Sequence, residues 1–137
     1  MSDKGVVLSQ LEVGTELPEL PIPITASLVV GGALASRDFT PVHHDKIAAQ
    51  EAGMPDIFMN ILTTNGLVGR YITDWAGPNA MIRNVNIRLG TPNTPGETMT
   101  FRGKVVEVSD EGATVEIAGT NSWGDHVTGT VRVALPR

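Results

Sequence analysis

The chain has 137 residues, 41% of them hydrophobic and 18% charged, which suits one domain with its own core and is short for two. Its formal charge of -5 argues against a nucleic-acid binder, which would carry a basic stripe. It contains no cysteine, so disulfide frameworks, thiolate zinc sites and cysteine nucleophiles are excluded together, in keeping with a cytoplasmic protein.

Residues 1–22 are turn-rich and form an extended lead-in. With Pro18, Pro21 and Pro23 nearby, this stretch predicts one edge strand at most, because proline cannot donate to a sheet ladder. No basic region leads into a long apolar run at the N-terminus, so no signal peptide is expected. The longest apolar stretch, 28–35, is too short and too rich in glycine to span a bilayer. Residues 26–35 predict a small helix despite Gly31 and Gly32. Residues 36–44 are polar and contain Pro41, a loop composition. Asp45 then caps a short helix over 46–52 that stops near Gly53.

The strongest helical pattern covers 57–75. Ile57, Ile61, Val68, Ile72 and Trp75 share one stripe, widened by Phe58 and Leu62. Gly66 and Gly69 lie inside it, and each costs about 1 kcal/mol against alanine. Helix glycines of this kind predict something pressed close against the helix backbone.

After Gly77-Pro78 the period changes to two. Alternation runs over 84–89, 99–108, 113–118 and 127–135, with turn residues between. The phase slips between Val105 and Val106, which predicts a bulge near Gly103. Four strands joined by short turns predict an antiparallel meander. The whole is an α+β domain in which a curled antiparallel sheet wraps a long central helix.

Chemistry concentrates in the loop. Asp38 and His43 are five residues apart, with Pro41 between them to stiffen the backbone. A carboxylate and an imidazole converging on one water suit general acid–base work. Taken alone the spacing also fits chance and local capping. Metal binding by His43, His44 and Asp45 competes, but adjacent histidines rarely point the same way and no further cluster has zinc-site spacing. His126 sits at a turn and is read as a surface or satisfied core residue. No G-x-S-x-G elbow, G-x-G-x-x-G fingerprint or phosphate loop is present. For Gly66 two readings stand: close packing of sheet on helix, or a backbone N–H offered to a ligand oxygen.

Together these pieces resemble the MaoC-like hydratases of the hotdog fold. Their hallmark is Asp-x-Asn-Pro-x-His, then a helix bearing His-Gly-Met or a similar triplet, then the strands. Here the order is Asp38-Phe39-Thr40-Pro41-Val42-His43, then Asn65-Gly66-Leu67, then the strands. Thr40 stands where the family usually has Asn, and Asn65 where it has His. The resemblance implies one hotdog domain over 1–137 that hydrates a 2-enoyl-CoA thioester. In that scheme Asp38 and His43 activate the water, and the Gly66 N–H polarises the thioester carbonyl. Asn65 and Thr40 complete the substrate site. No metal or redox cofactor is implied, coenzyme A being part of the substrate.

A closer likeness is to the small single-hotdog subunits of actinobacterial steroid side-chain enoyl-CoA hydratases. It rests on Arg37-Asp38-Phe39, Val42-His43-His44-Asp45, Asp56-Ile57-Phe58, Asn60-Ile61-Leu62-Thr63, Gly66-Leu67-Val68, Arg70-Tyr71 and Thr73-Asp74-Trp75-Ala76-Gly77-Pro78. This likeness implies a bulky acyl group and either a homodimer or a heteromer with a second MaoC-like chain. No nucleic-acid or membrane partner is implied. Arg83, Arg88, Arg102 and Lys104 are candidates for holding the CoA phosphates. The alternatives are a hotdog thioesterase and a non-catalytic acyl-CoA-binding subunit.

Overall fold

The computed structural model describes residues 5–137. Residues 1–4 of the expected lead-in, with most of the N-terminal stretch behind the signal-peptide expectation, lie outside the described residues. The lead-in supplies β1 (Glu16–Pro23), followed by α1 (Ala26–Ala35), a 3-10 turn (Pro41–His43) and α2 (Lys46–Glu51). Then come α3 (Ile61–Ala76), β2 (Met81–Leu89), β3 (Thr98–Val108), β4 (Gly112–Asn121) and β5 (Gly124–Ala134). No helix among the described residues is long and apolar enough to cross a membrane.

The five strands form one antiparallel sheet in the order β1-β3-β4-β5-β2. This corrects the expected four-strand meander. Only β3, β4 and β5 run as consecutive neighbours, whereas β2 pairs with β5 at the far edge. Residues 90–97 carry the chain from β2 across to β3. Alternation fixes which face of a strand is apolar, but it does not choose the neighbouring strand. The prolines of β1 fall on the other edge, as expected of residues that cannot donate to a ladder.

The inner faces of β3, β4 and β5 close over α3. Phe101, Val105, Val115, Ile117, Val127 and Val131 pack with Leu67, Val68, Tyr71 and Ile72 in one cluster. Val68 and Ile72 are fully buried, each contributing about 1.5–3 kcal/mol relative to exposure. The Tyr71 ring stacks on Phe101 at 5.0 Å and 13°, and its hydroxyl donates to the Pro18 carbonyl at 2.9 Å. Burial, with the Glu19 charge adding to it, pushes the Tyr71 phenol up to about 12.

Helix α3 starts at Ile61, not at residue 57. Asn60 stops it from extending backwards: its backbone is extended and its side chain accepts from the Thr63 N–H, an N-cap. The buried stripe is therefore Thr64, Leu67, Val68, Tyr71, Ile72 and Ala76, while Ile61 and Leu62 are exposed. Ile57 and Met59 are buried from the irregular segment ahead of the helix. The bulge in β3 lies at Val106, where pairing with β4 skips a residue, three positions beyond Gly103.

The helix glycines do not serve close packing against the sheet. A Cβ on Gly66 would meet nothing within 4 Å, and one on Gly69 would meet only the Ile82 side chain at 3.9 Å. The sheet yields instead, because a Cβ on Gly103 would fall 3.1 Å from the Tyr71 ring. An aromatic projecting from the helix needs a missing side chain opposite it. The tight helix contact belongs to Gly32 of α1, whose Cβ would collide with the Thr63 side chain. Gly66→Ala should accordingly raise the unfolding free energy by about 1 kcal/mol. Gly32→Ala should lower it by about 1–3 kcal/mol. Urea denaturation of the two variants reads both signs.

Candidate active site

The site is built where α1 ends and α3 begins. After α1, Arg37 takes a left-handed backbone (φ 58°), which costs a non-glycine residue on the order of 1 kcal/mol. The N–H groups of Arg37 and Asp38 then bond back to the carbonyls of Leu34 and Ala33. This abrupt turn aims the Asp38 side chain across the start of α3. The 3-10 turn from Pro41 brings His43 round to meet it, with ring and carboxylate in contact at 3.1 Å (Nε2 to Oδ2).

The imidazole is held on both sides. His43 Nδ1 lies 2.6 Å from the Phe58 carbonyl, an acceptor only, so Nδ1 carries a proton and donates it there. The Phe58 ring packs edge-on against the imidazole at 5.1 Å. Nε2 is thus the ring atom free to exchange a proton with whatever lies beside Asp38. His43 is buried, while the Asp38 side chain keeps 26% exposure, enough to admit a water or substrate.

Asp38 accepts three hydrogen bonds and touches the His43 ring. Oδ1 takes the Thr40 hydroxyl at 2.7 Å and the Thr40 N–H at 3.2 Å. Oδ2 takes the Asn60 amide at 3.1 Å and faces His43 Nε2. These contacts hold its pKa below the ordinary carboxylate value, the Thr40 hydroxyl and the Asn60 amide contributing most and the His43 charge least. The group therefore stays a carboxylate, an acceptor for hydrogen bonds from whatever lies beside it.

Sequence reasoning gave Asn60 no role in the site. Its only local signal is an N-cap residue ahead of the apolar stripe, and that was hidden by starting the helix at residue 57. Thr40, expected at the substrate, gives its hydroxyl to Asp38. Asn65 bonds back to the Ile61 carbonyl within its own helix.

Gly66 requires a correction. It sits inside α3, where a backbone N–H closes the helical bond to the carbonyl four residues back and is not offered to a ligand. Donors without such a partner occur only in the first turn. Thr63 N–H is taken by Asn60, which leaves those of Ile61 and Leu62 at the end of the helix that touches Asp38. The Gly66 surface instead helps line an open apolar trough of about 340 Å³ with Ala35, Ser36, Leu62 and Leu67. Leu34, Phe39, Ile61 and Leu62 are exposed on these same segments.

Of the groups in the competing metal reading, His43 and Asp45 are committed elsewhere. Both His43 nitrogens have partners, His44 is exposed, and Asp45 caps α2 through the N–H groups of Ile47 and Ala48. Among the described residues no group of three His, Asp or Glu side chains could hold a metal ion. Of the candidate phosphate-binding cations, Arg102 is paired with Glu19 at 2.9 Å, while Arg83, Arg88 and Lys104 lie exposed on strands.

Of the two places expected for His126, surface or satisfied core, it takes the core, with both ring nitrogens partnered. Nδ1 donates to the Thr91 carbonyl at 2.6 Å, and Nε2 lies 2.8 Å from the Thr64 hydroxyl, which can take either role toward it. Burial pushes its pKa down, against the Thr91 hydrogen bond. Below about 6.5 the unfolded chain therefore binds a proton the folded one refuses. This contribution to stability is present above pH 6.5 and is lost as the pH falls. His126→Gln should flatten that part of the stability–pH curve between pH 7 and 5, read by urea midpoints.

Comparison with known proteins supplies context for this geometry. A family model described as the MaoC like domain matches residues 10–125. The 3-oxo-4,17-pregnadiene-20-carboxyl-CoA hydratase beta subunit of Mycobacterium tuberculosis is 50% identical over 123 residues, 90% of this chain and 95% of that protein. The crystal structure of the ChsH1-ChsH2 complex from Mycobacterium tuberculosis contains a chain 49% identical, with a TM-score of 0.89. The match covers 90% of this chain and 98% of that one. The unliganded R-hydratase PhaJ1 from Pseudomonas aeruginosa superposes with the same TM-score of 0.89 over 97% of this chain and 87% of that one. At 20% identity it speaks for the fold alone.

Proposed function

This chain belongs to the MaoC-like domain family, and on that premise we propose that it adds water across the 2,3 double bond of a 2-enoyl-CoA thioester with a bulky, steroid-derived acyl group. The observation that carries the reading is the Asp38–His43 contact at 3.1 Å, with Nδ1 committed to Phe58 and the pair set against the first turn of α3. The steroid class comes from the half-identical hydratase subunit named above.

In the proposed reaction one water contacts Asp38 Oδ2 and His43 Nε2. Its oxygen bonds to C3 as the C2–C3 π electrons move toward the thioester carbonyl, and the dyad takes the proton that the water gives up. The enolate oxygen is met by the first-turn N–H groups of α3, whose helix end also favours negative charge. A proton returned from the dyad to C2 re-forms the carbonyl. The product is a 3-hydroxyacyl-CoA, and the sum consumes one water and no other reactant. The scheme draws on no metal or redox cofactor, and we assign it to the cytoplasm.

We also assign this chain a second subunit. Exposed Leu34, Phe39, Ile61 and Leu62 leave the site incompletely walled, and the similar chain of known structure belongs to a two-component complex. A second chain over this patch would enclose the acyl group.

The test mixes the purified chain, alone and with a co-expressed MaoC-like partner, with a steroid-derived enoyl-CoA. The conjugated enoyl-thioester absorbance should fall without release of free thiol. Thiol release would instead favour a thioesterase. Binding without absorbance change, in the presence of the partner, would leave only an acyl-CoA-binding role.

A further inference from the structure

We infer that Asn60 is a positioning residue for the hydration proposed above: one amide both caps α3 and fixes the Asp38 carboxylate against that helix end. The inference deepens that reading and rests on it for its kinetic consequence.

Every hydrogen-bonding position of the Asn60 side chain is used. Oδ1 accepts from the Thr63 N–H at 3.0 Å and from the Thr63 hydroxyl at 2.6 Å. Nδ2 donates to Ser36 Oγ at 2.9 Å and to Asp38 Oδ2 at 3.1 Å. Ser36 passes its own proton to the Gly32 carbonyl at 2.7 Å, so its oxygen is free to accept. A flipped amide would set its oxygen against a carboxylate and lose the cap, so only one orientation satisfies the surroundings. The residue is 3% exposed, which shields these bonds from competing water.

Two consequences follow from this geometry. The carboxylate and the helix start share one rigid group, so Asp38 cannot rotate away from the first-turn N–H donors without losing the Asn60 hydrogen bond. The amide also donates to the charged form of Asp38 at the oxygen that faces His43, and so favours ionisation. An ordinary N-cap such as serine would provide the first service to Thr63 and neither of the other two.

That difference makes the test. Asn60→Ser and Asn60→Asp both retain a good cap, since serine and aspartate cap helices about as well as asparagine. Serine removes the donor from Asp38. Aspartate replaces it with a second negative charge. The complex of each variant with its partner chain is assayed for kcat/KM against pH, with the melting temperature recorded alongside.

Asn60→Ser should move the acid limb of the profile upward by about one pH unit, the consequence of losing one hydrogen bond to a charged group. It should also lower kcat while leaving KM near its original value. Asn60→Asp should move the limb further and in the same direction, because like charges resist joint ionisation. The titration of the Asp38 carboxyl carbon, followed by 13C NMR, should move with it and needs no turnover.

Profiles and carboxyl titrations that coincide with wild type in the folded variants would overturn the inference and reduce Asn60 to a cap. If the wild-type complex fails to hydrate enoyl-CoA, the functional reading falls separately. The NMR titration still decides whether Asn60 sets Asp38.

Discussion

Asp38→Asn is expected to lower kcat/KM by about 10³-fold, within the usual span for losing a general acid–base group. The geometry makes this substitution severe. Asp38 accepts from the Thr40 N–H and hydroxyl on one oxygen and faces Asn60 and His43 on the other. An amide at position 38 must turn its NH2 toward one of these pairs, setting donor against donor, and it has no charge with which to hold a histidine proton. His43→Ala should fall in the same range, since it removes Nε2. The double variant should be no worse than the weaker single one, because the two groups act on one water. The assay is the loss of enoyl-thioester absorbance with the partner chain present. A melting curve for each variant checks the fold. A fall of less than tenfold in both single variants would remove the dyad from the chemistry.

Ile61→Pro is expected to lower kcat by about 10²-fold while α3 remains formed, the smaller end of the cost of losing one oxyanion donor. Proline is favoured at the first helical position, where its missing N–H breaks no helical bond. The preceding residue tolerates it too: Asn60 already has φ -79° and ψ 162°, the extended backbone that a following proline demands. The Ile61 side chain is 51% exposed, so little packing is lost. Ile61→Ala keeps the N–H and should keep the rate. If both variants turn over like wild type, the donor is not Ile61. A rise in KM with kcat unchanged would mean that its N–H binds substrate and transition state equally.

The two expectations differ in how far the sequence supports them. Asp38 and His43 were legible because a local device, Pro41 between a carboxylate and an imidazole, brings them together over five residues. Gly66 was misread because a glycine within a helix was credited with an exposed N–H. Once α3 is seen to begin at Ile61, that N–H lies within the helical ladder and the free donors move to the first turn. The apolar stripe misplaced the start, since Ile57 falls in phase with it but is buried from the irregular segment ahead of the helix. Asn60 was invisible as a brace because its partners Ser36 and Asp38 lie 24 and 22 residues away.

By itself the sequence determined what depends on neighbours along the chain. The α+β class, the limits of α1 to the residue, the Asp45 cap, the β1 edge and the inward residues of β3, β4 and β5 all follow from periodicity, capping and proline chemistry. Tertiary structure alone decided what depends on contacts between distant segments. It set β2 beside β5, put the close-approach glycine on the sheet under Tyr71, and joined the end of α1 to the start of α3 through one amide. Side-chain period reports which face is buried but not what covers it. The polar atoms of a residue such as Asn60 find their partners only when the fold brings remote segments together.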